Sequence, residues 1–217
     1  MTKFLSEINI DMKKIFTLAI FALLALPHIS NAQIEKGGKI IGLNGLYTRS
    51  TPGGTNNNTT NTISTGNVTA YQMHLINDGF AIGYFLDYRV NTFKNKNTST
   101  DNLSKVNNQS VNVGPSFRYF SSIGKSTYFY PELSLGVGRN WSAVKERFNG
   151  NTTKENSGST NLLGEFSLGI AHFFGPSVAI DAKIGYGRAW VLNSNGSSGI
   201  GAVGAQVGLL VFLKSKS

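Results

Sequence analysis

The chain contains no cysteine, so a disulfide framework and a thiolate metal site are both excluded, while the compartment stays open. Acids are scarce. Against 20 Lys and Arg stand 11 Asp and Glu, so the formal charge of +9 reflects few carboxylates rather than many bases. Those bases are spread thinly, without the patch or basic helix that nucleic-acid binders concentrate, and no nucleic-acid partner is expected. Beyond residue 32 no apolar run approaches the roughly 20 residues of a membrane helix. A chain without such a helix can still cross a membrane as a closed β-barrel, which satisfies its backbone internally. What the chain does have is length for one domain or one barrel (217 residues), 25 glycines, and segments crowded with Asn, Ser and Thr.

The N-terminus reads as a leader. Lys13 and Lys14 precede the apolar run IFTLAIFALLAL (15–26), and SNA ends at Ala32 before Gln33. A basic region, a short apolar stretch and a small-residue cleavage site describe a secretory signal peptide. The domain expectation is therefore a signal peptide over 1–32, with Met12 as the better start than Met1, and a mature domain over 33–217.

The mature chain alternates polar, glycine-rich segments with stretches of strict period two, the signature of strands with two different faces. Eight are expected: 39–48, 67–77, 80–93, 108–120, 127–143, 161–174, 177–191 and 200–213. In FAIGYFLDYRV (80–90), Phe80, Ile82, Tyr84, Leu86, Tyr88 and Val90 share one face, with Ala81, Gly83, Phe85, Asp87 and Arg89 on the other. Connections alternate in length. Asn77-Asp78-Gly79, 121–126 and Gly175-Pro176 are short, whereas 49–66, 94–107 and 144–160 are long and polar, and 192–199 is intermediate. Asp-Gly is a strong hairpin signal. Short turns at one end and long loops at the other match outer-membrane barrels, and an even strand count then puts both mature termini in the periplasm. The strands are also longer than the usual five or six residues of globular proteins. Aromatics fall at two heights on the apolar face: Tyr47, Tyr88, Trp141 and Tyr186 near the loop end, Phe80, Tyr119, Phe129 and Phe174 near the turn end. The fold class expected is all-β, an eight-stranded antiparallel transmembrane β-barrel.

The signal peptide ending SNA-Q, the strands FAIGYFLDYRV and VNVGPSFRYF (111–120), and the terminal strand GAVGAQVGLLVFL (201–213) together resemble the small OmpA/OmpX-like outer-membrane β-barrels of Gram-negative bacteria. The resemblance implies an outer-membrane location, passage through the barrel-assembly machinery, and structural, adhesive or host-interaction roles in some members, with lipid-modifying enzymes among others. One departure is visible. Such barrels commonly finish on an aromatic residue, whereas here Phe212 is followed by LKSKS and shares parity with the lumen rather than with lipid.

Parity sends Asp87, Arg89, Arg118, Glu132, Glu165, Asp181 and Lys183 into the lumen, with Asn44, Gln72, His74, Asn112, Asn140 and Gln206 beside them. A barrel of eight strands is just wide enough for its own side chains to fill. Buried charges must pair, so these seven are expected to form a salt-bridged plug, with a narrow passive channel as the alternative. A second set, Arg49, Lys94, Arg139 and Arg188, shares the parity of the lipid face near the loop end, and Lys145 and Arg147 continue it. Guanidinium groups at that height suit the phosphates of lipopolysaccharide, and plain interfacial anchoring is the bland alternative. Lipid A deacylase barrels use a His–Ser pair beside a carboxylate, but the close His-x-Ser here, His28-Ile29-Ser30, lies in the leader. The expectation is a monomeric, non-enzymatic barrel without metal or cofactor. A lipid A-modifying enzyme and a soluble secreted β-protein are the remaining alternatives.

Overall fold

The structure is a computed structural model that describes residues 34, 36–51, 59–97, 99–100, 102–148, 151–193 and 196–214. The leader expected over 1–32 lies outside the described residues. Eight long strands and one two-residue segment make up the fold: β1 (Lys39–Ser50), β2 (Thr59–Leu75), β3 (Phe80–Asn97), β4 (Leu103–Tyr119), β5 (Ser121–Ser122), β6 (Thr127–Phe148), β7 (Asn151–Phe173), β8 (Val178–Asn193) and β9 (Gly196–Leu213). Each long strand pairs antiparallel with the next, β4 pairs with β6, and β1 pairs with β9, which closes the sheet into an eight-stranded barrel. Closure leaves no free sheet edge wherever all neighbours pair.

Turn chemistry fixes one end. At Asn77-Asp78-Gly79, Gly79 takes φ +91° and Phe80 N donates to Asn77 Oδ1 at 3.1 Å. Only a residue without Cβ adopts that φ cheaply, so the hairpin turns where Asp-Gly stands. The opposite end differs from the expected long loops. β3 runs to Asn97 and β4 starts at Leu103, while β6 runs to Phe148 and β7 starts at Asn151. Much of 94–107 and 144–160 is therefore paired strand; part of 49–66 and of 192–199 is likewise strand, and the rest of those two segments is only partly described. The physical reason is that ladder hydrogen bonds continue beyond the level at which one face needs to be apolar. With both faces polar, no alternation marks the strand.

The outward face carries a continuous apolar surface. Leu43, Tyr84, Leu86, Val113, Leu135, Phe166, Ile184 and Leu209 are all exposed. Inside, the turn end is packed with apolar groups: Ile40, Met73, Leu75, Phe120, Phe173, Leu210 and Phe212 are buried. Phe120, Phe173 and Phe212 meet edge-on or tilted, Phe212 lying 4.7 Å from Phe173 and 5.8 Å from Phe120 between ring centroids.

Candidate functional site

The lumen is built in three tiers. The apolar tier just described forms the base at the turn end. Above it lies a dry ionic tier. Arg118 (β4) is fully buried and donates from Nε to Glu132 Oε2 (β6) at 2.8 Å, with a second bond from Nη2 to the same oxygen. Lys183 (β8) donates to Glu132 Oε1 at 2.8 Å and also to the Tyr71 hydroxyl (β2). Asp181 accepts from Asn44 Nδ2 at 2.5 Å and from the Tyr130 hydroxyl, and Arg118 Nη1 stands 3.9 Å from its Oδ2. The Arg118 guanidinium lies over the ring of Tyr130, 4.2 Å from its centroid, and Tyr71 offers a second ring at 5.1 Å. Gly169 makes this possible, because a Cβ there would collide with the Tyr130 ring.

The third tier is wetter. Arg89 (β3) donates from Nε to Asp87 Oδ2 at 2.6 Å and from Nη2 to Glu165 Oε2 (β7) at 2.7 Å. Thr69 and Asn112 donate to Asp87, and Asn161 donates to Asn112. Lys183 links the two tiers, with Nζ 3.5 Å from Glu165 Oε1. Above this tier the lumen opens into a cavity of about 490 Å³ whose floor includes Arg89, Glu165 and Lys183.

All seven charged residues expected inside are brought together in these two tiers. Asn44, Asn112 and Gln206 are buried inside, and Asn140 is half-buried on the same face. Gln72 and His74 are not there. They are exposed on the outer face, and Tyr71 and Met73 take the lumen positions instead. The segment YQMHL alternates apolar with polar residues, which suggests apolar outward. The structure reverses this because the base of the lumen is itself apolar and Lys183 needs the Tyr71 oxygen. For the same reason the interior is not polar throughout. The signal for that lay in the strand ends IAHFF (170–174) and LLVFL (209–213), which are apolar on both faces.

Arg49, Lys94, Arg139 and Arg188 are all exposed on outward-facing positions. Register adds a feature that linear sequence hides. Lys94 is opposite Lys105, Lys105 opposite Lys145, and Lys145 opposite Lys154, so four lysines form one row across β3, β4, β6 and β7. The row lies four residues beyond Trp141 along β6. At barrel tilt that places it roughly 10 Å above the upper aromatic girdle.

No family model and no curated protein matches the chain. Solved structures do resemble it. Ail, the attachment invasion locus protein of Yersinia pestis, in complex with the heparin analogue sucrose octasulfate, is 16% identical with a TM-score of 0.42, over 82% of this chain and 99% of that one. A major outer membrane protein from Thermus thermophilus is 11% identical with a TM-score of 0.48, over 81% and 99%. Neisserial surface protein A is 18% identical with a TM-score of 0.37, over 81% and 97%. With these identities and scores, the fold rests on its own strand order and register.

Proposed function

We propose that the protein spans the outer membrane as a sealed, non-enzymatic barrel with a membrane-structural or surface-interaction role. The exposed apolar face supports the membrane setting, since a soluble monomer rarely leaves a contiguous apolar patch beyond a few hundred Å² in water. The observation that carries the sealed reading is the dry tier, in which Arg118, Glu132, Asp181 and Lys183 are each at most 5% exposed and bound to one another above an apolar base. An ion crossing the barrel would have to part these pairs. Recording in a planar bilayer tests it: the protein should show no steady single-channel conductance. Stable openings whose selectivity changes with Asp181→Asn would favour the narrow channel instead.

The lysine row favours a second element of this role, contact with lipopolysaccharide on the outward face. Like charges directly opposite one another in a sheet destabilise it, so four adjacent ammonium groups call for anions between them. Phosphates at that height supply them, with Arg49, Arg139 and Arg188 closer to the lipid and capable of bidentate contacts. In this orientation Lys39 and Leu213, at the turn end of β1 and β9, lie on the periplasmic side. The test is lipopolysaccharide retained through purification. Replacing Lys94, Lys105, Lys145 and Lys154 by Gln should reduce it several-fold and flatten its salt dependence. Retention equal to that of the parent would rule the row out.

A further inference from the structure

The barrel is not closed along its whole height. Among the described residues, β1 and β9 pair from Lys39–Leu213 up to Gly45–Val207 and no further. Yet β1 stays paired with β2 as far as Ser50, and β9 stays paired with β8 back to Gly196. Two strand edges therefore face each other without a ladder. The parting starts at Leu46, one residue below Tyr47 of the upper girdle, roughly 18 Å above the turn end at barrel tilt. Ala202 and Gly204 share the parity of the buried Gln206, yet they are exposed, as Leu46 and Thr48 are on the facing edge.

Unpaired backbone at membrane depth is tolerated where it lines a cavity rather than lipid. Here it does. The 490 Å³ cavity takes in both edges, with Leu46 on one side and Val203 on the other, and reaches down to Arg89, Glu165 and Lys183. A second observation points to a ligand. Gln206 lines the same cavity and is only 7% exposed, but its Oε1 has no hydrogen-bond partner among the described residues. A buried acceptor left without a donor is costly, and a donor entering the cavity would relieve it.

We propose that the seam between β1 and β9 is a lateral port holding a single-chain amphiphile. Its head group is uncharged and bears hydroxyl or amide donors, as in a monoacylglycerol. The head lies in the cavity and donates to Gln206 Oε1 and to the free strand edges, while the acyl chain leaves between Leu46 and Val203 into the adjacent lipid layer. Charge decides the head. The lumen carries Asp87, Glu132, Glu165 and Asp181 against Arg89, Arg118 and Lys183, so the cations there are already committed to carboxylates. At the cavity floor Arg89 and Lys183 are both bound to carboxylates and so are not free for a carboxylate head, and Glu165, held by Arg89, Lys183 and Ser167, is not free for an ammonium head. The cavity size is within the range of small-molecule sites. An added β-strand is the competing occupant. It would satisfy the edges but leave Gln206 and the cavity floor unmatched.

Two measurements test the port. The chain has no cysteine, so engineered pairs report cleanly. Leu43→Cys with Leu209→Cys joins register partners and should oxidise readily. Tyr47→Cys with Ala205→Cys, two outward positions higher on the same register, should not. Equal cross-linking of the two pairs would show a closed seam and overturn the proposal. The second measurement is native mass spectrometry of the detergent-solubilised protein with 1-monooleoylglycerol, oleic acid or oleylamine. Monooleoylglycerol should bind in preference to the charged analogues, and Gln206→Leu should weaken it by about tenfold, the loss of one or so hydrogen bonds. Gly204→Trp should abolish binding while the barrel still folds, because a Cβ at Gly204 would meet nothing within 4 Å and the indole can enter the cavity that Gly204 lines. Unchanged binding to the Gly204→Trp protein, or preference for oleic acid or oleylamine, would overturn the proposal. So would a peptide of residues 196–206 that protects both edges from hydrogen exchange while monooleoylglycerol fails to bind.

Discussion

β6 and β7 pair along the whole 22-residue length of β6, from Thr127–His172 to Phe148–Asn151. β1 and β9 part after Gly45–Val207 although both strands continue. The two seams belong to one barrel, and composition separates them. β6 and β7 pair Leu133 with Phe166 outside and Glu132 with Ser167 inside. On the open seam, β9 offers GAVGA (201–205), with almost no side chain to pack across a strand gap. The interior follows the same division. Where all neighbours pair, at the turn end, the lumen is dry and its charges are bound. Near the open seam it is a cavity, and Arg89 is 29% exposed where Arg118 is 0%.

Substitutions can break this contrast. Arg118→Ala should have the largest effect, because Glu132 and Asp181 would keep buried charge without their main cation, at a cost of roughly 3–5 kcal/mol. It would be read as a lower denaturant midpoint for the folded band in detergent. Arg118→Met combined with Glu132→Leu should recover most of that loss, since an apolar pair of similar volume replaces the ions. Arg89→Ala in the wetter tier should cost less, about 1 kcal/mol, because water from the cavity can solvate Asp87 and Glu165. Equal losses from Arg118→Ala and Arg89→Ala would erase the distinction between the tiers. Smallest of all, Lys105→Gln should leave stability unchanged or slightly improved when no lipopolysaccharide is present, since it relieves like-charge contacts in the row.

Much of the barrel could be read from residues alone. FAIGYFLDYRV shows its two faces by alternation, and the position of Asp181 and Lys183 follows from Ile180, Ala182 and Ile184 pointing the other way. The departures have particular causes. Tyr71 and Met73 were hidden because an apolar residue signals lipid in a barrel strand, whereas here the base of the lumen is apolar too. The strand extensions in 94–107 and 144–160 carry no alternation because polar residues stand on both faces. The lysine row and the parted seam are properties of register. Positions 94, 105, 145 and 154 share no sequence spacing that would bring them level, and only strand pairing aligns them.

The membrane setting underlies all of these readings, and refolding tests it most directly. The protein would be refolded in detergent micelles and in plain aqueous buffer, and each sample run on a gel boiled and unboiled. A mobility shift confined to the detergent sample is expected, because the outward apolar surface of Leu43, Leu86, Leu135 and Phe166 needs a lipid-like solvent. Clean folding of a monomer in plain buffer would contradict the account, and the sealed outer-membrane barrel would have to be abandoned.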